Sequence, residues 1–292
     1  MNNLNKRILV AVIGIPIVIY VAFMPYSLLG LMIIFALVAV HEFYSLAKVK
    51  GFVPQVTIGM ILTALIVVSF AHTQLLRAAL YFHPHTEIAT LTIFLLPIIM
   101  IVGVIATLTA ELFKGYPNPL IQISITLAGA VYIGFGMGGL YGVYEIFYDP
   151  AGQSSSAALF LIALLASIWI CDSAAFMVGR KMGRHKIAER VSPNKTWEGG
   201  IAGLIAAIAV WLIARAYIGG LGEVSLTTAI AVGIIVGVMG QVGDFAESML
   251  KRDAGVKDSS TLIPGHGGVL DRLDSILFVG PLTFVWLYLF GV

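Results

Sequence analysis

The chain has 292 residues, of which 59% are hydrophobic and only 11% are charged, and its mean hydropathy is +0.99. A soluble domain carries about 25% charged residues, so this composition excludes a soluble globular protein and indicates a polytopic membrane protein. The formal net charge of +2 gives no reason to expect a nucleic-acid partner, and we expect none. The single cysteine, Cys171, excludes an internal disulfide, and its apolar surroundings in the sequence predict a packed thiol.

Apolar runs predict about nine transmembrane helices, because a bilayer core of about 30 Å needs roughly 20 apolar residues per helix. The first run follows the basic start MNNLNKR without a small-residue cleavage site, which favours a retained helix over a signal peptide. We therefore expect an all-α polytopic membrane protein. The predicted spans are Ile8–Met24, Leu28–Ala47, Val56–Phe70, Ile88–Leu108, Leu120–Phe147, Ala157–Val178, Gly200–Ile218, Leu226–Leu250 and Ser275–Phe290.

Lysine and arginine concentrate in alternate loops, and Arg77 is the main exception. By the positive-inside rule the amino terminus is cytoplasmic and the carboxyl terminus lies outside. Both large hydrophilic loops, around residues 180–199 and 251–274, then face the cytoplasm. We expect a cytoplasm-facing polar site in the carboxyl-terminal half of the chain, supplied with any water-soluble substrate from that side.

The stretch CDSAAFMVGRKMGRHK places Asp172 inside the end of the sixth predicted span. A carboxylate within a span costs about 2.5–3.5 kcal/mol on insertion scales, so it needs a partner or a function. The sequence leaves two interpretations open: a functional carboxylate, or an interhelical salt bridge with a nearby basic residue.

The stretch SPNKTWEGG has the residues of a helix start. Ser192 or Thr196 can cap, Pro193 suits a first turn, and Glu198 suits the positive end of the helix dipole. Capping leaves Lys195 unexplained, because a cation is unfavourable at a helix amino terminus. We favour a bound phosphate beside Lys195, since exposed N–H groups at a helix start bind anions.

A polar stripe follows the eighth span into the last one. Asp244, Glu247, Ser248 and Lys251 fall at i, i+3, i+4 and i+7 of one helix, and Asp271, Asp274 and Ser275 repeat the spacing at the start of the next. Opposing carboxylates repel each other unless a cation lies between them. Hard oxygen ligands with few thiols or histidines favour Mg²⁺ over zinc.

The loop between these two helices is basic and rich in glycine, which indicates phosphate binding. Its relevant residues are Lys251, Arg252, Lys257, Gly265, His266, Gly267, Gly268 and Arg272. A lone His266 in such a loop is a phosphate contact more often than a zinc ligand. The other histidines have no ligand spacing, and we expect surface positions for them. For Glu42 we favour pairing with a basic residue over a part in the site.

The stretch SMLKRDAGVKDSSTLIPGHGGVLDRLD, from Ser248 to Asp274, resembles the signature of the CDP-diacylglycerol synthases, or phosphatidate cytidylyltransferases. DSAAFMVGR and SPNKTWEGG are similar to the two upstream motifs of that family, in the same order, whereas the first 150 residues match only as apolar spans. The resemblance implies synthesis of CDP-diacylglycerol and pyrophosphate from CTP and phosphatidic acid. It also implies Mg²⁺, with a second cation possible, an all-helical fold in the inner cell membrane surrounded by its lipids, and a homodimer.

The resemblance further implies roles for individual residues. The expected Mg²⁺ ligands are Asp244 and Asp271, with Asp172, Glu247 and Asp274 as ligands or supports. The expected catalytic residues are Asp244, Asp271, Lys251, Arg272 and Lys195. The expected substrate contacts are Ser192, Asn194, Lys195, Thr196, Ser248, Lys251, Arg252, Lys257, Asp258, His266, Gly267, Gly268 and Arg272. Residues 151–292 would form the catalytic membrane region, and residues 1–150 a region for lipid access or dimerisation.

Three other functions remain as alternatives at this point. A CTP-dependent lipid kinase, such as a polyprenol kinase, or a CDP-archaeol synthase would share parts of the loop chemistry. An ion-coupled transporter would also carry aspartates inside its spans, but it would have broken helices and symmetric halves. This chain instead concentrates its charge in one loop system, which argues against transport.

Overall fold

The computed structural model describes residues 3–71, 88–148, 155–219, 221, 223–263 and 267–291. Most of these residues are helical, so the predicted all-α fold is confirmed. The elements are α1 (Asn3–Ala22), α2 (Pro25–Val49), α3 (Val56–Ser69), α4 (Ile88–Lys114), α5 (Pro119–Ile146), α6 (Ser155–Met182), β1 (Lys186–Ala188), β2 (Ser192–Thr196), α7 (Trp197–Tyr217), α8 (Leu226–Asp253), α9 (Leu270–Leu273) and α10 (Ile276–Phe290).

Each predicted span coincides with one helix, and within the described ranges seven segments are long and apolar enough to cross a membrane. These are α2, Leu95–Lys114 of α4, α5, α6, α7, α8 and Leu270–Phe290, which joins α9 to α10. The apolar parts of the other two helices, Val12–Ala22 and Val56–Ser69, are shorter. The chain is therefore a multi-pass membrane protein.

The two ends of the helix bundle differ in character. At one end the Tyr141 hydroxyl donates to the Pro25 carbonyl, and the Thr228 hydroxyl donates to the carbonyl of Gly291. At the other end Lys50, just after α2, pairs with Asp253 at the end of α8. Arg190, in the loop after α6, lines a cavity together with Arg252 and Asp253. The basic loops after α2, α6 and α8 thus lie at the same end of the bundle, as the alternation of loop charges predicts.

A short antiparallel hairpin of β1 and β2 lies between α6 and α7, with Lys186 opposite Thr196. Of the two caps that the sequence allows, Ser192 or Thr196, the structure has Thr196. The prediction that Pro193 lies in the first turn of the helix is wrong, because Ser192 and Pro193 both belong to β2. The cap is Thr196, whose extended backbone ends the strand and whose hydroxyl accepts the Gly199 N–H at 3.3 Å. Glu198 lies in the first turn as predicted.

Helix α5, from the amino-terminal half, packs directly on α10 through small residues. A Cβ atom added at Gly139 would lie 2.5 Å from the Pro281 Cα, and one added at Gly136 would overlap Leu277. Missing side chains allow such close approach of helix backbones in membranes. One buried core therefore includes residues of both halves of the chain, and the boundary proposed near residue 150 stays a prediction.

The α5–α10 contact predicts that Gly139→Ala lowers the melting temperature of the purified protein in detergent by several degrees. The new methyl group would meet backbone atoms of Pro281, which cannot move aside without separating the helices. Gly30→Ala is the control, since nothing lies within 4 Å of a Cβ at that helical position. Equal melting temperatures for the two variants would contradict the proposed packing.

Candidate active site

A cavity of about 720 Å³ lies between α6, the hairpin, α7 and α8. Its size falls within the range of about 300–1,000 Å³ that ligand sites commonly have. The polar and charged side chains that line it are Asp172, Arg180, Lys186, Asn194, Lys195, Thr196, Gln241 and Asp244. Both upstream motifs and the eighth span therefore contribute to one cavity.

A neighbouring cavity of about 870 Å³ is larger but has less suitable chemistry. Apolar side chains such as Val178, Ile201 and Ile205 form much of its wall. Its His185 is paired with Glu198 at 2.7 Å, and it contains none of the predicted metal ligands. We therefore assign the candidate active site to the smaller, charged cavity.

Lys195 pairs with Asp244 in the wall of this cavity, with Nζ 2.5 Å from Oδ2. The two side chains are only 28% and 31% exposed, and the Lys195 ammonium also lies 4.6 Å from the centre of the Phe245 ring. The anion beside Lys195 is thus a carboxylate of the chain in this structure. The phosphate predicted there stays a prediction.

Three carboxylates from different segments lie within electrostatic range of Lys195 and of one another. Asp172 of α6, Asp244 of α8 and Asp274, between α9 and α10, interact electrostatically with one another. Among the described side chains Asp172 has no ion-pair partner within 4 Å, so the salt-bridge interpretation receives no support. These three carboxylates supply the hard oxygen donors that a cation such as Mg²⁺ prefers.

A second charged group lies farther along α8. The Lys251 ammonium is 2.5 Å from both Glu247 Oε2 and Asp271 Oδ1, and these side chains are 14%, 1% and 5% exposed. The cation between this opposing pair of carboxylates is therefore an ammonium group of the chain. The five predicted metal ligands thus form two groups, one of three aspartates and one of two carboxylates that share Lys251.

The second oxygen of Asp271 is held by the loop that precedes α9. Asp271 Oδ2 accepts hydrogen bonds from the Ser259 N–H and hydroxyl, both at 2.9 Å, and from the Gly268 N–H at 2.7 Å. Gly267 has a φ of +83°, a conformation that favours glycine. The anion that the Gly268 N–H contacts in this structure is Asp271, and the contact of Gly267 and Gly268 with a substrate phosphate stays a prediction.

The other predicted substrate contacts are more dispersed. Ser248 donates to Asp244 at 3.3 Å, while Asn194 and Thr196 line the charged cavity and Ser192 begins β2. Four of them are exposed: Arg252 of α8, Lys257 and Asp258 of the following loop, and Arg272 of α9. His266 lies outside the described residues.

Sequence reasoning missed several side chains of this region. Arg180, Lys186 and Gln241 line the cavity, and Arg180 ends the quoted motif DSAAFMVGR, which could have identified it. Within the described residues Glu42 pairs with no basic side chain, so the favoured interpretation of it receives no support. Its carboxylate accepts four hydrogen bonds from the loop before α9 and from the start of that helix.

The donor set at the charged cavity fits Mg²⁺. Within the described ranges no three acidic, histidine or cysteine side chains form a ready-made metal cage. Mg²⁺ seldom uses such a cage, because it keeps several waters and binds through one or two carboxylates plus substrate phosphates. Asp172 and Asp244 in the cavity wall, with Asp274 nearby, supply that kind of incomplete oxygen site.

Comparison with known proteins identifies the family. The sequence model of the Cytidylyltransferase family matches residues 5–290, which is nearly the whole chain. This chain belongs to the cytidylyltransferase family. It is 30% identical to a phosphatidate cytidylyltransferase of Synechocystis sp., over 98% of this chain and 97% of that relative.

Other relatives in the cytidylyltransferase family match over a shorter stretch. Phosphatidate cytidylyltransferases of Staphylococcus saprophyticus and Haemophilus influenzae are each 38% identical, over 55% and 59% of this chain. These alignments span 57% and 59% of the relatives, little more than half of their length. The resemblance inferred from the motifs is confirmed at the level of the family.

The Lys251 group predicts a large loss of stability in Lys251→Met. Two buried carboxylates would then face each other without a counter-charge, and breaking a buried ion pair costs about 3–5 kcal/mol. The melting temperature in detergent should fall strongly, and adding Glu247→Gln should restore part of the loss.

Lys50→Met is the matched control for this comparison. It breaks the exposed pair with Asp253, whose side chains are 36% and 62% exposed. Such pairs contribute about 0–1 kcal/mol. Melting temperatures that fall equally in Lys50→Met and Lys251→Met would show that Lys251 is not the counter-ion of a buried group.

Proposed function

We propose that this protein catalyses the reaction of CTP with phosphatidate to give CDP-diacylglycerol and pyrophosphate in phospholipid biosynthesis. Membership of the cytidylyltransferase family and the names of the relatives support this reaction. The structural observation that carries the proposal is the cavity in which Arg180, Lys186 and Lys195 stand beside Asp172 and Asp244. Basic side chains that can bind phosphates and carboxylates that can bind a metal thus line one cavity at one end of the helix bundle.

The reaction needs positioning more than acid–base chemistry. An oxygen of the phosphatidate phosphate attacks the α-phosphorus of CTP and forms a new P–O bond, while the bond to the bridging α–β oxygen breaks and pyrophosphate leaves with the electron pair. The attacking phosphate is already ionised at neutral pH, so no strong base is required. The protein must bring two anions together and stabilise the charge on the leaving group.

Lys195 has the central part in our assignment. A phosphate of the substrate replaces Asp244 as the partner of its ammonium, and Arg180 and Lys186 hold further phosphate oxygens. This exchange frees the Asp244 carboxylate beside Asp172. The incoming phosphate takes over the contact that the carboxylate gives up, and the freed Asp244 carboxylate can then contact a cation of its own.

Mg²⁺ would be held by Asp244 and Asp172, with Asp274 in support, and when bound it supplies neutralisation of the triphosphate charge. We do not assign Asp271 to the metal, because its two oxygens already contact Lys251 and the loop. The leading role in metal binding that the sequence suggests for it stays a prediction. Arg272, Arg252 and Lys257 remain candidates for contacts to the departing pyrophosphate.

The position of the cavity suits one soluble and one lipid substrate. Phe176 of α6, in the cavity wall, is 65% exposed on the surface of the bundle. We propose that phosphatidate reaches the cavity from the bilayer beside α6 and that CTP enters from the cytoplasm. The inner cell membrane as location and the homodimer both stay predictions.

Purified protein supplied with labelled CTP and one lipid at a time tests the reaction. Phosphatidate should give a lipid product that carries cytidine. An ether-linked isoprenoid glycerol phosphate and a polyprenol should give none. A cytidine-labelled product only with the ether lipid would favour a CDP-archaeol synthase, and a phosphorylated polyprenol would favour a lipid kinase.

Asp244→Asn should reduce turnover by orders of magnitude, because it removes a proposed metal ligand and a charge partner of Lys195. The protein should still insert and purify, since its side chain is partly exposed. Asp253→Asn on the same helix is the control and should keep nearly full activity. A chelator should abolish wild-type activity and added Mg²⁺ should restore it. Full activity in Asp244→Asn at low Mg²⁺ would refute the metal assignment.

Sidedness can be tested with single cysteines after Cys171, the only cysteine of the chain, is replaced by alanine. An impermeant maleimide should label Glu223→Cys in intact cells. It should label Glu189→Cys only after the membrane is permeabilised, because that loop carries the excess of basic residues. Labelling of Glu189→Cys from outside would reverse the topology and the proposed source of CTP.

A further inference from the structure

We propose that Glu42 of α2 is a positioning residue for the proposed cytidylyl transfer, which holds the loop that carries the family signature in its active arrangement. This inference rests on the proposed function. The described residues 254–263 and 267–269, between α8 and α9, are called the signature loop below. Glu42 is 3% exposed, and its four hydrogen-bond partners lie 217 to 228 residues away in the sequence.

Both oxygens of the Glu42 carboxylate are used. Oε1 accepts the Ser260 hydroxyl at 2.6 Å and the Val269 N–H at 3.1 Å. Oε2 accepts the Ser259 hydroxyl at 2.9 Å and the Leu270 N–H at 2.8 Å. An ionised carboxylate only accepts hydrogen bonds, whereas glutamine offers one oxygen and an NH₂ group that donates. In Glu42→Gln, one pair of donors would therefore face another donor.

The Glu42 contacts continue directly to Asp271. The Ser259 hydroxyl lies 2.9 Å from Glu42 Oε2 and 2.9 Å from Asp271 Oδ2, so its single proton is shared between two carboxylates. A Cβ atom at Gly268 would overlap both the Ser259 hydroxyl and the Glu42 carboxylate. Gly268 itself donates to Asp271. A shift of Glu42 therefore changes the contacts of Asp271.

Glu42 also satisfies the start of α9. The first N–H groups of a helix have no partner within the helix, and those of Val269 and Leu270 donate to Glu42 instead. Asp271 and Arg272 follow immediately in this helix. The orientation of both predicted catalytic residues thus depends on a carboxylate from the amino-terminal half of the chain.

Glu111 provides a matched control within the same half. It is also buried, at 5% exposure, and it accepts the Gln55 side-chain amide at 2.6 Å. No described contact joins Glu111 to the signature loop. Glu111→Gln therefore changes a buried carboxylate to the same amide without changing the environment of Asp271.

Hydrogen exchange of the intact protein in detergent tests the contact directly. In Glu42→Gln at least one of the Val269 and Leu270 amides should exchange about tenfold faster than in the wild type, because an NH₂ group replaces one of the two oxygens that accept them. The amides of α8 should be unchanged. Glu111→Gln should leave residues 268–270 as in the wild type. Ser260→Ala, a milder change, should accelerate the same amides to a smaller extent.

Kinetics with CTP and phosphatidate separate positioning from simple support of the fold. Glu42→Gln should lower kcat about 10–100-fold, because small displacements of aligned groups are costly, while the KM for CTP changes little. Glu42→Asp, which keeps both oxygens, should recover part of kcat. Glu111→Gln should retain the wild-type kcat.

Unchanged exchange at residues 268–270 in Glu42→Gln would overturn the inference. Faster exchange with an unchanged kcat would also overturn it, since Glu42 would then only anchor the loop. If the wild-type protein formed no CDP-diacylglycerol, the proposed function would fail instead. The exchange experiment would still decide whether Glu42 orders the signature loop.

Discussion

The site depends on the ion pairs that the Lys251 ammonium makes with Glu247 and Asp271. Both carboxylates are almost fully buried, and burying them together without a cation would be strongly unfavourable. By joining α8 to the start of α9, Lys251 fixes the return of the chain into the last membrane helix. It also fixes the polar stripe of α8, so that Asp244, two turns before Lys251, faces the cavity and Lys195. The two charged groups have different roles. The group around Lys251 holds α8 and α9 together, whereas the group around Lys195 is the one that we propose to contact the substrates.

The amino-terminal helices also help to hold this arrangement. Glu42 accepts hydrogen bonds from the signature loop and the start of α9, and Lys50 pairs with Asp253 at the end of α8. Helix α5 contacts α10 so closely that Gly139 lies against the Pro281 backbone. A region whose sequence suggested little more than apolar spans thus contacts the carboxyl-terminal half at the signature loop, at the end of α8 and at α10. These contacts give the amino-terminal helices a physical role, because they hold the buried charged side chains of separate helices in position.

Much of this organisation was predictable from local pattern. Hydropathy located all the long helices, and the helical spacing of Asp244, Glu247 and Lys251 correctly placed them on one face of α8. The hairpin of residues 186–196 was not predictable in this way, because two very short strands lack periodicity and SPNKT also resembles a helix start. The partners of Glu42 are more than 200 residues distant, so no local pattern indicates them. Glu247 and Lys251 are one turn apart, which allows their pairing to be expected. The contact of Lys251 with Asp271 depends on the fold of the loop.

The fate of each phosphate of CTP tests the central claim most directly. Purified protein would be incubated with phosphatidate and with CTP labelled either at the α-phosphate or at the γ-phosphate. Cytidylyl transfer predicts that the α-label enters the lipid and that the γ-label is released as pyrophosphate. Transfer of the γ-label to the lipid, with release of CDP, would contradict the account, because the cavity would then belong to a kinase that uses CTP as phosphoryl donor.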